Sequence, residues 1–196
     1  MESFLLYNPT KLYFGKNQIK NLVPELQQYG KKVLLVYGGG SIKKNGLYID
    51  ITKRLADAEI IMYELANIEP NPKLETIEKG IQLCKEKKID VVVAIGGGSC
   101  IDAAKLVCAG SKYDGDPWEI VMKKVELKEA LPLGVILTIA ATGSETNGTS
   151  VISRWDTKEK YSWNHILAYP KFSILDPTYT FSVPRDQTVY GIVDMM

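Results

Sequence analysis

Short apolar runs alternate along the chain with segments whose apolar residues recur every three or four positions. Val33–Tyr37 (VLLVY), Ile60–Tyr63 (IIMY), Val91–Ile95 (VVVAI), Val135–Ile139 (VILTI) and Phe172–Leu175 (FSIL) are apolar almost throughout. That is the pattern of strands buried on both faces in a parallel sheet. Between them Leu47, Ile51 and Leu55, then Leu74, Ile77, Ile81 and Cys84, recur at helical spacing, as do Ile19, Leu22, Val23 and Leu26 upstream. Strand and helix in alternation predict βαβ units and an α/β fold with a Rossmann-like, doubly wound parallel sheet. Asn71-Pro72 predicts an N-cap and a first-turn proline for the helix through Leu74. From Leu131 the periodicity weakens. Ala140–Lys160, rich in Thr, Ser, Gly and Asn, predicts a loop-rich insertion with room for a hairpin, and Asp176–Pro184 a connection. Val189, Ile192 and Val193 predict the first turns of a helix in which the sequence stops.

Composition narrows the function classes. The 196 residues suit one domain, or one domain and the start of a second. With 24 Lys+Arg against 23 Asp+Glu there is no whole-surface field, which argues against nucleic acid or an anionic membrane as partner. No apolar run approaches the ~20 residues of a membrane span. The first residues lack the pattern of a signal peptide, so a cytoplasmic protein is expected. Three cysteines without a CxxC pair indicate neither a disulfide framework nor a structural zinc. A single histidine, His165, excludes within this chain any metal centre that needs two.

A repeated turn carries the candidate chemistry. VLLVY runs into Gly38-Gly39-Gly40-Ser41, and VVVAI into Gly96-Gly97-Gly98-Ser99. Glycine lets backbone N–H groups approach a phosphate, and a following helix offers its positive dipole end. Two such turns in one βαβαβ array favour phosphate binding over mere tight geometry. The third glycine of GxGxxG is missing, so the ligand is expected to lie differently from an ordinary Rossmann dinucleotide. No acid follows the first strand to bond a ribose 2′-hydroxyl, whereas Ser41, Lys43 and Lys44 would welcome a 2′-phosphate. Charge therefore favours NADP over NAD, although each lysine alone also reads as solvated surface.

The second turn continues as Gly96-Gly97-Gly98-Ser99-Cys100-Ile101-Asp102-Ala103-Ala104-Lys105. It is followed by Thr142-Gly143-Ser144-Glu145, Asp176-Pro177 and Asp194. Together these resemble the iron-containing alcohol dehydrogenase family, which shares its architecture with dehydroquinate synthase and glycerol dehydrogenase. YGGGS and EKYSW look most like the butanol dehydrogenase branch. The resemblance spans the chain but only the first half of a family member. It implies a dinucleotide-binding domain at 1–184, the first turns of a helical metal-binding domain at 185–196, and an all-α C-terminal domain missing beyond.

Further implications of the resemblance are residue by residue. Gly97, Gly98 and Ser99 are implied pyrophosphate ligands, and Gly38, Gly39 and Ser41 match the branch that accepts NADP. Asp102 is placed to bond a ribose hydroxyl, or else to stabilise its helix dipole. Thr138 and Thr142 would line the adenine and nicotinamide sides, or satisfy loop backbone. Asn71, Asn147, Lys160 and Tyr179 complete the implied cofactor set, with Lys160 toward the nicotinamide. Asp194 is the implied first ligand of a divalent metal, Fe or Zn, whose histidines all lie beyond Met196. The implied reaction is hydride transfer between NADP(H), or NAD(H), and a small alcohol or aldehyde such as butanol or butyraldehyde. A homodimer is compatible with this reading. Two alternatives stand beside it: a non-catalytic NADP-binding module, and a glycerol-dehydrogenase-like or dehydroquinate-synthase-like enzyme. His165 is expected at a loop or core edge, and Cys84 and Cys108 are expected buried. Cys100, at a helix N-terminus, is expected to have a lowered pKa. Trp118, Trp155 and Trp163 are expected to pack.

Overall fold

The computed structural model describes residue 3 and residues 7–194. In chain order the elements are β1 (Lys11–Phe14), a 3-10 turn at Gln18–Asn21, α1 (Leu22–Leu26), β2 (Lys32–Tyr37), α2 (Ser41–Lys44), α3 (Leu47–Asp57), β3 (Ile61–Leu65) and α4 (Leu74–Lys87). Then come β4 (Val91–Gly96), α5 (Gly98–Gly110), α6 (Pro117–Val121), β5 (Leu133–Leu137), β6 (Thr149–Arg154), β7 (Glu159–Asn164), β8 (Phe172–Leu175) and α7 (Arg185–Asp194). Among the described residues six strands form one sheet in the order β1-β8-β5-β4-β2-β3, every neighbouring pair parallel. The fold is the expected α/β, Rossmann-like doubly wound sheet. β6 and β7 form a separate antiparallel hairpin inside the expected insertion and run past its predicted end to Asn164.

The central strands are apolar throughout because each buries both faces. Leu34, Val36, Val92, Ala94 and Val135 face the core beneath α4 and α5. Val33, Leu35, Tyr37, Val91, Val93 and Ile95 face the core beneath α1 and α3. At roughly 25 cal/mol per Å² of apolar surface removed from water, these two layers are the main stabilising term.

Local expectations fail in three places. β1 was not predicted: it is a short edge strand whose Lys11 and Tyr13 reach back to Glu25, 3.0 and 2.6 Å away, instead of forming an apolar run. The predicted cap at Asn71 is absent. The cap of α4 is Lys73, extended and without a side-chain bond, while Asn71 adopts φ 55. Proline disfavours the helical region for the residue before it, and Asn tolerates the left-handed one. Pro72 and Lys73 instead run alongside Ser153 of β6, whose N–H donates to the Pro72 carbonyl at 3.0 Å. The cap-and-proline arrangement occurs at Asp116-Pro117, where the Asp116 carboxylate accepts from the Trp118 N–H at 2.8 Å. Finally, Trp118 and Trp163 pack as expected, but Trp155 is 61% exposed, with Lys73 Nζ 4.5 Å from its ring centre.

Candidate functional site

The chain leaves β2 toward β3 on one side and returns through α4 to β4 on the other. The connections after β2 and β4 thus diverge to opposite sides, and the crevice at such a switch point, outside the strands' carboxyl ends, is where open α/β sheets bind ligands. Both glycine turns open there. A cavity of about 210 Å³ is lined by Gly38, Ser41, Gly97, Thr138 and Tyr179 among others, which brings five of the sequence-predicted residues together. Ile139, Ser182 and Gln187 line it as well and were not foreseen. Tyr179 is half-buried, and burial beside Asp176 and Asp50 pushes its phenol up to about 12.

The two turns differ physically. α5 after the second turn is 13 residues long, so its first N–H groups carry a full helix dipole. α2 after the first turn has only four residues, so little dipole is added there. Gly40 begins α2 at φ 99, a conformation that disfavours side chains with a Cβ. A second cavity, about 560 Å³, opens beside the first turn between Gly39, Ser41, Lys44 and Asn45, and among the described residues no carboxylate lines it. Lys43 takes another course. Its Nζ lies 5.4 and 4.8 Å from the ring centres of Tyr37 and Tyr48. Glu64 of β3 accepts from both phenols, at 3.2 and 2.6 Å. The Glu64 hydrogen bond pushes Tyr48 up to about 12.

On the second turn Gly98 meets the Thr142–Asn147 segment closely, for a Cβ there would lie 2.7 Å from Thr142 Oγ1. Ser99 follows Gly98 in the first turn of α5, and Thr142 is exposed. Thr138 holds its strand end by donating its N–H to the Gly96 carbonyl at 3.0 Å. Asp102 and Asn147, both expected at the cofactor, have internal partners. Asp102 Oδ1 accepts from Ser144 Oγ at 2.7 Å, and Oδ2 accepts from the Val151 N–H at 3.0 Å. Burial raises the Asp102 carboxyl. Asn147 accepts from Lys105 and from the Thr149 N–H, and donates to the Gly143 carbonyl. Lys105 is the residue that sequence reasoning missed. It is fully buried, and burial pushes its ammonium down to about 8. A lysine inside the apolar run Ile101–Gly110 was the signal available.

Lys160 and Asn71 meet elsewhere, on the hairpin. Lys160 Nζ donates to Asn71 Oδ1 at 2.7 Å, beside a groove of about 310 Å³ that Arg154, Trp155 and Lys158 also line. His165 caps a 3-10 turn at the hairpin's end, its Nδ1 accepting from the Leu167 N–H at 3.2 Å. The lowered pKa expected at Cys100 is reversed. Burial pushes the thiol up to about 11 and outweighs hydrogen bonding to the Gly97 and Gly38 backbone. Cys84 and Cys108 are buried as expected.

Asp194 is the last residue of α7, and its side chain lies outside the described residues. Among the described residues no three His, Cys, Asp or Glu side chains converge on a point a metal could occupy. The described residues therefore do not fit a metal centre by themselves.

Comparison with known proteins places the chain in a family. The probable NADH-dependent butanol dehydrogenase 2 of Bacillus subtilis is 58% identical over 100% of this chain and 50% of its own length. The NADPH-dependent aldehyde reductase YqhD of Escherichia coli is 39% identical over 99% of this chain and 50% of its own. The crystal structure of NADH-dependent butanol dehydrogenase A from Thermotoga maritima superposes with a TM-score of 0.95 at 44% identity, covering 99% of this chain and 49% of that one. The chain thus spans about half the length of the curated relatives it matches. Residues 9–177 match the family described as iron-containing alcohol dehydrogenase, to which this chain belongs.

Proposed function

We propose that this chain is the cofactor-binding part of an enzyme that transfers hydride between NADP(H) and a small primary alcohol or aldehyde, of the butanol and butyraldehyde kind. The observation that carries the proposal is the single crevice into which both glycine turns open, lined by Gly38, Ser41, Gly97, Thr138 and Tyr179. In this reading α5 and the N–H groups after Gly97 hold the pyrophosphate, and Thr138 and Tyr179 flank the dinucleotide. Lys160 and Asn71 bound the nicotinamide end. Held there, the nicotinamide would supply or take up the hydride exchanged with the carbinol carbon, and the protein would supply orientation and a dry cleft. Residues 1–184 are then the dinucleotide-binding unit, and α7 begins the next.

The acid-free cavity lined by Gly39, Ser41 and Lys44 supports a 2′-phosphate and so NADPH. NADH is the second reading, favoured by the Bacillus and Thermotoga relatives, which are described as NADH-dependent. Titration of the complete protein with each reduced dinucleotide separates them. Tighter NADPH binding is expected, and NADH binding more tightly by about tenfold overturns the phosphate reading. Failure to reduce butyraldehyde with either dinucleotide overturns the enzyme reading.

Asp194 is this chain's contribution to the metal in this proposal. Asp194→Ala in the complete protein is expected to lower its iron or zinc content, and unchanged content rejects the assignment. Free, buried cysteines support a cytoplasmic, reducing location. Among the described residues no helix is long and apolar enough to cross a membrane. The exposed Leu12 and Phe14 on edge strand β1 support a homodimer, which sedimentation tests; a monomer at micromolar concentration overturns it.

A further inference from the structure

A fully buried ammonium inside an apolar helix calls for a physical reason. Removing a charge from water costs several kcal/mol unless good geometry and hydrogen bonds compensate it. Lys105 has that compensation. Its Nζ lies 2.8 Å from the Ser144 carbonyl, 2.7 Å from Ser144 Oγ, 3.1 Å from Asn147 Oδ1 and 2.7 Å from the Thr149 carbonyl. All these oxygens belong to one stretch of chain, which runs into β6 and is preceded by Thr142, packed against Gly98 of the second glycine turn. The same stretch is tied to α5 again through Asp102, by Ser144 Oγ and the Val151 N–H. Asn147 extends the web to the Gly143 carbonyl at 3.0 Å. Thr142 therefore approaches Gly98 from a segment with little regular structure of its own, fastened by one cation and one carboxylate.

We infer that Lys105 is a positioning residue for the dinucleotide. Its ammonium gathers the Ser144–Thr149 segment onto α5, so that Thr142 and the hairpin bearing Lys160 stand at fixed distances from the second glycine turn. The inference rests on the proposed dinucleotide reading and deepens it. Lys105 touches no ligand in this scheme and acts through the backbone it holds. A buried lysine that only stabilised the fold would be replaceable by a hydrophobe of similar volume at little loss. Here a hydrophobe leaves the Ser144 and Thr149 carbonyls without their donor, and the segment is released while the sheet keeps its packing. The charged groups acting on Lys105 are Asp102 from its own helix and Glu145 from the gathered segment.

Lys105→Met in the complete protein tests this, with reduced-nicotinamide fluorescence for NADPH and NADH affinity, steady-state kinetics, and amide hydrogen exchange. Dinucleotide Kd and KM are expected to rise about tenfold or more, while kcat at saturating cofactor stays within about threefold. Exchange is expected to quicken at residues 142–151 and not in β2, β4 or β5. A merely structural role would lower the active fraction, and with it kcat, and leave KM unchanged; that result, or a Kd within about twofold of the parent, overturns the inference. If Lys105→Met does not fold, Ser144→Ala decides. It removes one oxygen from the ammonium and the donor from Asp102, and should raise Kd about threefold with the same exchange pattern. An unchanged Kd in that variant also overturns the inference. A parent protein that binds neither dinucleotide would defeat the cofactor reading itself, a different result from a parent that binds and a variant that binds equally well.

Discussion

Gly98→Ala isolates the contact between the second glycine turn and the segment that begins at Thr142. An alanine Cβ at this position would stand 2.7 Å from Thr142 Oγ1, 2.8 Å from Thr142 Cγ2 and 3.3 Å from Thr142 Cβ. Comfortable separation is about 3.5–4.0 Å, so the segment must retreat by roughly 1 Å. Overpacking of this kind costs about 1–3 kcal/mol. If the strain falls wholly on the crevice, dinucleotide Kd rises between about fivefold and 150-fold. Thr142→Ala removes the two closest atoms and leaves only the 3.3 Å approach, which a shift of a few tenths of an ångström relieves. The double variant should therefore recover most of the lost affinity. Fluorescence titration with NADPH across the four members of the cycle measures the coupling, and thermal melts of the same proteins assign any part of the strain that appears as lost stability. A coupling of about 1 kcal/mol or more is expected. Effects that add to within about 0.5 kcal/mol, as distant sites do, would refute the assignment of the strain to this contact.

Three further outcomes follow from the same structure. Burial of Cys84, Cys100 and Cys108, with raised thiol pKa values, predicts that maleimide labelling at neutral pH is slow until the protein is denatured; rapid labelling of Cys100 in the folded protein contradicts the burial argument. Lys105 has a folded-state pKa near 8 against 10.5 when free, so between those values the unfolded chain binds more protons at this site and stability rises with pH. Denaturant titrations over that window should show the upward slope in the parent and a shallower one in Lys105→Met, and equal slopes would remove the linkage. Lys160 is exposed, and its bond to Asn71 lies at the surface. Lys160→Ala should therefore change stability by less than about 0.5 kcal/mol while lowering kcat/KM for aldehyde reduction, and an unaltered kcat/KM argues against its place at the nicotinamide end.

The sheet was legible because its central strands bury both faces, so VLLVY and VVVAI carry their assignment in the residues themselves. Strand β1 was not, since its Lys11 and Tyr13 are stabilised by Glu25, a partner from another element. Glycine turns announce themselves locally, and both stand in the crevice. The Lys105 web does not, because its partners lie 39 to 44 residues further along the chain. Position at a helix start pointed to a lowered pKa at Cys100, but burial, which no local pattern reports, decided its acidity the other way. The N-cap expected at Asn71 failed for the same reason, since its side chain accepts instead from Lys160, 89 positions away.

The two glycine turns also differ in how freely their sequence can change. A side chain at Gly97 would strike Ile139 and one at Gly98 would strike Thr142, so the second turn is held fixed by its neighbours. A side chain at Gly39 would meet nothing within 4 Å, beside the cavity formed with Ser41 and Lys44. Substitution there adds chemistry without disturbing the packing. An acid at Gly39 would repel a 2′-phosphate and could accept from a ribose hydroxyl. On the proposed reading, cofactor preference can therefore drift within one scaffold by single changes at an open corner, while the strand and helix of the second turn stay as they are.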